Sequence, residues 1–218
     1  MTEEIPIWRQ AIKDEQHPMH RAAWLLFSKN PNLQYIDKTL SEQKAQVTEF
    51  MYQILDSEDL YTTSSLGGGN APINSIDLLG QWEVLEAIPR LIAILETDDP
   101  DAIVDGKAAS ALGKMGTAVF EPMMAFDART EHKYQDGVAG ILADACKDDP
   151  RAYDYVLKLF EEKKEEYQVA YMAENLLVCD PQQAIPYLEA WMRKRKLSRD
   201  LKKRLENYIA TAKKDYFP

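Results

Sequence analysis

Apolar residues recur along this chain at intervals of three and four, and sustained alternation of apolar and polar residues is nearly absent. Val47, Phe50, Met51 and Ile54 form one such set; Leu85, Ile88, Ile92 and Leu95 form a second. Tyr153, Val156, Leu157 and Phe160 follow, then Val169, Met172, Ala173 and Leu176, then Leu201, Leu205, Tyr208, Ile209 and Ala212. Each set lays one apolar stripe on a helix, so the chain is predicted to be all-α. Asn30-Pro31, Asp99-Pro100, Asp149-Pro150 and Asp180-Pro181 fall between stripes and drive the residue before each proline out of the α region. The helices are therefore predicted to be short and closely spaced. In the first 62 residues the pattern places helices at 7–13, 18–28 and 41–55, followed by a loop, TTSSLGGGNAP, over 62–72.

The pattern also repeats. Leu79-Gly80 recurs 33 residues on as Leu112-Gly113 and Pro89 as Pro122; at the same interval Tyr134-Gln135 recurs as Tyr167-Gln168 and Cys146 as Cys179. Ala87-Ile88-Pro89-Arg90-Leu91 returns as Ala184-Ile185-Pro186-Tyr187-Leu188, close to three periods away. A fixed period of this length marks helical units that bury their apolar faces only by stacking on their neighbours.

The segments IPRLIAILETDDPD (88–101) and GKAASALGKMG (106–116) resemble the HEAT repeat family, in particular its short bacterial members of the phycobilisome-lyase-like type. In that family a first helix carrying a proline, an acidic turn and a second helix ending in Leu-Gly make one unit. The resemblance covers roughly residues 72–215. It implies a right-handed α-α superhelix, a HEAT-like solenoid forming a single domain over 1–218. Residues 1–62 would be an N-terminal helical cap or degenerate repeats, 63–71 a Gly-rich loop and 72–218 the repeats. It also implies that the second helices line a concave face.

Composition fits an ordinary soluble core, with 45% hydrophobic residues in 218. The acidic start MTEEIPIWRQ, and the lack of an apolar run long enough to span a bilayer, imply a cytoplasmic protein with no membrane association. Net charge is −10, unevenly spread: residues 191–218 carry ten Lys and Arg against three acids, a net +7, which leaves −17 on 1–190. An acidic body disfavours nucleic acid and favours a basic or mixed-charge protein partner.

Candidate chemistry is sparse. Gly67-Gly68-Gly69-Asn70 lacks the Gly-Lys-Ser/Thr of a phosphate loop and reads as a connector, with Asn70 as helix cap. His17 and His20 have a spacing that could share one helix face, but they lack further converging ligands and read as surface or capping residues. Glu131-His132 reverses the His-Glu dipeptide of the HEAT-like metal hydroxylases. Asp98, Asp99, Asp101 and Asp105 miss the ligand order of a calcium loop and read as a solvated acidic turn. Cys146 and Cys179 fall at equivalent repeat positions and read as core, and the tryptophans Trp8, Trp24, Trp82 and Trp191 as mostly packing residues. No metal, cofactor or catalytic group is assigned.

The expected function is a protein-binding scaffold or adaptor, with Lys107, Lys114, Tyr134, Tyr167, Tyr171 and Glu174 as the contact surface on the second helices. Two alternatives stand beside it. One is an enzyme or cofactor-attachment factor of the phycobilin lyase type, implied by the resemblance. The other is binding of RNA or an anionic ligand through the basic C-terminal segment, by Arg193, Lys194, Arg195, Lys196, Lys202 and Lys203.

Overall fold

Asn74 shows how the N-terminal half is closed: its amide donates to the carbonyls of Leu26 (2.6 Å) and Ser28 (3.0 Å), acceptors that the end of a helix leaves open. The structure, a computed structural model, describes residues 6–29, 31–96 and 102–216. Among them all regular structure is helical and no strand occurs. Asp98, Asp99, Asp101 and the break at Asp99-Pro100 lie outside the described residues. Chain contacts divide the protein into two compact units, Met1–Ala111 and Leu112–Pro218.

In the N-terminal unit run α1 (Ile7–Lys13), α2 (His20–Leu26), α3 (Leu33–Leu40), α4 (Lys44–Leu55), α5 (Asn70–Gln81), α6 (Ile88–Leu95) and most of α7 (Ala102–Gly113). Helix α5 is the centre, packing on α2, α3 and α4 and fully burying Ala71, Ile76, Leu78 and Leu79. Beyond its end Trp82 donates its indole N–H to Asp37 (2.6 Å), and the Lys44 ammonium donates to the Trp82 carbonyl (2.9 Å).

Four local features differ from the sequence-based expectation. Helix α3 falls outside the predicted set: it is short, and its start is set by Asn32, whose side chain accepts from the Tyr35 N–H (3.0 Å). Helix α2 starts at His20 rather than at Pro18, because 17–19 form a turn in which His17 Nδ1 accepts from the Met19 N–H (3.0 Å). Leu85 belongs to a 3-10 turn ahead of α6 and is exposed, so the stripe begins at Ile88. At the glycine loop, φ is +81°, +63° and +81° at Gly67, Gly68 and Gly69, which glycine alone adopts freely. Gly69 therefore precedes the helix, and Asn70 acts from inside it, donating to the Gly67 carbonyl (2.5 Å). Trp8 and Trp82 are buried as expected, whereas Trp24 is 65% exposed.

The C-terminal unit holds α8 (Phe120–Arg129), α9 (Gln135–Ala145), α10 (Pro150–Glu162), α11 (Glu166–Cys179), α12 (Pro181–Arg193) and α13 (Arg199–Tyr216). Asp149 and Asp180 cap α10 and α12, accepting from the N–H groups of Arg151 (3.0 Å) and Gln183 (3.0 Å), and a proline fills the first helical position of each. Each helix packs on its chain neighbour, and α9, α11 and α13 also pack on one another as a row. Cys146 and Cys179 occupy matching places at the ends of α9 and α11, both buried. The Asp148 N–H donates to the Cys179 carbonyl (2.9 Å), joining the two helix ends.

Candidate interaction surface of the C-terminal unit

The row α9, α11 and α13 is open at one glycine and aromatic beside it. Gly137 and Gly140 stand on α9; a Cβ at Gly137 would meet open space, whereas one at Gly140 would collide with the hydroxyl of Tyr171, which therefore lies directly on the α9 backbone. Tyr167, one turn earlier on α11, is 66% exposed, and Tyr171 is also exposed. Asn175, one turn further on, is buried, and its Nδ2 donor has no hydrogen-bond partner among the described residues. A buried amide N–H left unmade costs on the order of 1–3 kcal/mol. Glu174 lies against the hydroxyl of Tyr208 on α13, whose pKa is raised by burial and then by that carboxylate. Upstream, Lys163, with its side chain only 8% exposed, pairs with Asp136 (2.5 Å), and Gln168 donates to the same carboxylate (3.2 Å).

The sequence-predicted residues fall in different places. Tyr167, Tyr171 and Glu174 share one side of α11, at spacings of four and three. Tyr134 precedes α9 half-buried, stacked on Phe126 with ring centres 5.4 Å apart. Lys114 is exposed just after α7, and Lys107 belongs to the N-terminal unit, where it pairs with Asp77 (2.6 Å). Arg193 ends α12, Lys194, Arg195 and Lys196 line the turn after it, and Lys202 and Lys203 lie on the first turns of α13, all exposed. Sequence reasoning misses Gly140, Asn175 and the Asp136–Lys163 pair. An isolated glycine inside a helical pattern is the available signal for close approach at Gly140.

A second polar cluster fixes the turn between α8 and α9. Asp127, 1% exposed, takes His132 Nδ1 at 2.7 Å and the Tyr155 hydroxyl at 2.9 Å on one carboxylate oxygen. Burial, then the Asp127 hydrogen bond and charge, raise the Tyr155 pKa. Glu131 and His132 have φ of +51° and +63°, a conformation costly for residues with side chains, and the His132 N–H closes the turn on the Asp127 carbonyl (2.9 Å). Asp127 thus holds a strained turn from both its backbone and its side chain. Asp127→Ala is expected to lower stability by about 2–3 kcal/mol and Tyr155→Phe by about 1 kcal/mol. In a double-mutant cycle by chemical denaturation the pair should cost less than the sum. Additive losses would mean that the two groups act independently.

In the N-terminal unit a cavity of about 370 Å³ is lined by Leu55, Tyr61, Ala93, Ile94 and Val104, with Arg90 engaged by Asp56 (3.4 Å) at its edge. Among the described residues no three His, Cys, Asp or Glu side chains converge to hold a metal ion, and no helix is long and apolar enough to cross a membrane. Comparison with protein-family models, curated proteins and solved structures finds no match to this chain.

Proposed function

We propose that the protein is a HEAT-like binding scaffold that engages another protein along the α9–α11–α13 row of its C-terminal unit. The observation that carries this reading is the pairing of exposed Tyr167 and Tyr171 with the open backbone at Gly137. Tyrosines offer a large contact area at small cost in side-chain entropy, and a glycine with open space at its Cβ position, as at Gly137, lets a partner's backbone come close. Residues 112–190 carry 15 Asp and Glu against eight Lys and Arg, which complements a basic or mixed-charge segment and speeds its encounter.

The test is a photo-crosslinking amino acid placed at Tyr167 in the producing cells, with Lys158 as an exposed control on α10. One discrete protein adduct from position 167, lost on Tyr171→Ala and absent from position 158, is the expected result. Equal adducts from both positions would sink the reading. A second reading, attachment or turnover of a small molecule, draws on the cavity near Tyr61 and Arg90, where apolar side chains stand beside Asp56, Glu58 and Asp105. It predicts that Ala93→Trp, by filling that cavity, abolishes any small-molecule adduct seen in the intact mass.

A further inference from the structure

We infer that the groove between α12 and α13 is a docking site for an acidic amphipathic helix of another protein. Helix α13 turns Leu201, Leu205, Ile209 and Ala212 inward, and α11 and α12 are the helices it packs on. Next to that buried stripe, on the α12 side, a groove of about 460 Å³ remains open. Met192, Ile209 and Ala210 make its floor, and Arg193, Lys202 and Lys213 stand along its edges.

The charge in the groove is partly spent and partly available. Glu189 is hydrogen-bonded by Lys213 (2.7 Å), which holds its carboxyl below the usual carboxylate range, and Lys202 lies 3.9 Å from Glu206. Both carboxylates therefore have a lysine at hand. Lys194, Lys196, Arg199 and Lys203 are exposed and form no ion pair among the described residues, while Arg193, also exposed, adds its charge to that of Lys213 at Glu189. The segment as a whole has a net +7. Such a rim attracts acidic groups, and the unpaired cations concentrate at the end of the groove where α12 gives way to α13.

The same features decide between kinds of partner. A nucleic acid would lay no apolar surface on Met192, Ile209 and Ala210. Trp191 on α12 already has the Arg195 guanidinium over its ring at 4.4 Å, so it is not a free platform for base stacking. An amphipathic helix satisfies both halves of the site: aliphatic residues on one stripe meet the floor, and aspartate or glutamate on its flanks meets the rim.

The experiment uses the full chain and a labelled synthetic peptide of about five helical turns, with leucine on one stripe and glutamate on both flanks. Fluorescence anisotropy compares it with a scrambled peptide of the same composition and with poly-uridylate. The patterned peptide is expected to bind at least tenfold more tightly than either. Ala210→Glu, an exposed change in a helix, should weaken it at least tenfold while the circular dichroism stays that of the parent, and Arg193→Glu should act in the same direction. Tyr167→Ala should leave this affinity unchanged, since that residue belongs to the other surface. Equal binding of the scrambled peptide, tighter binding of poly-uridylate, or an Ala210→Glu protein that binds like the parent would each overturn the inference.

Discussion

Replacing Gly80 with valine is expected to cost the N-terminal unit about 3 kcal/mol, measured by chemical denaturation. A Cβ at this position would stand 2.7 Å from both Cα and Cβ of Ala111, a backbone contact that no side-chain rotation relieves. Helices α5 and α7 therefore touch main chain to main chain at Gly80, and a larger residue must push them apart. Helix propensity pulls the other way, since glycine inside a helix is worse than alanine by about 1 kcal/mol. That opposition supplies the control. Gly106, on α7 of the same protein, has nothing within 4 Å of its would-be Cβ, so Gly106→Ala is expected to raise stability by about 0.5–1 kcal/mol. Opposite signs at two helical glycines would establish that close approach, and not flexibility, keeps Gly80. A Gly80→Val protein as stable as the parent would mean that the two helices separate without penalty.

Gly80 is also one of the places where the repeat carries physical information. The 33-residue interval aligns Gly80, Gly113, Cys146 and Cys179 in one register. All four fall at the ends of helices, where small residues allow neighbours to meet. The all-helical class is legible because stripes such as Val47, Phe50, Met51 and Ile54 bury every member. Stripe ends are less so: Leu85 fits the spacing of its helix yet sits outside it, because a 3-10 turn preserves local periodicity without continuing the α-helix. Helix α3 leaves a faint pattern because its buried positions are only Ile36 and Leu40. Of the candidate surface, Tyr167, Tyr171 and Glu174 can be placed together from helical spacing alone. Asn175 and the Asp127 cluster cannot, since burial of a polar side chain and contacts across 28 residues, such as Tyr155 to Asp127, leave no periodic trace.

The cysteines lead to the second large effect, a loss of stability in alkali that begins earlier than tyrosine ionisation would allow. Burial pushes the Cys146 thiol up to about 11 and the Cys179 thiol up to about 12, with smaller contributions from Asp149 at the first and from Cys146 itself at the second. Below the ordinary thiol value of 9, folded and unfolded chains both hold these protons, and stability is fully present. Above it the unfolded chain releases them while the folded chain does not, so the unfolded state binds fewer protons and stability falls as pH rises toward the folded values. Each tenfold difference in proton affinity between the two states is worth about 1.4 kcal/mol, so the two thiols together should remove about 3 kcal/mol between roughly pH 8.5 and 10.5. Tyr61, Tyr153 and Tyr187, each raised to about 12, and Tyr155, also raised, add to the decline from about pH 9.5, since their unfolded value is 10. Denaturation curves taken across this range should therefore show a descending limb from about pH 9, and a Cys146→Ala, Cys179→Ala double variant should stay flat until about pH 9.5 and fall less steeply beyond it. An unchanged limb in the variant would assign the loss to other groups. A thiol used as a nucleophile or a metal ligand needs its pKa moved down toward neutrality, and would add stability as pH rises past its folded value. The sign of this limb thus separates packing from chemistry at the two positions where the repeat places a cysteine.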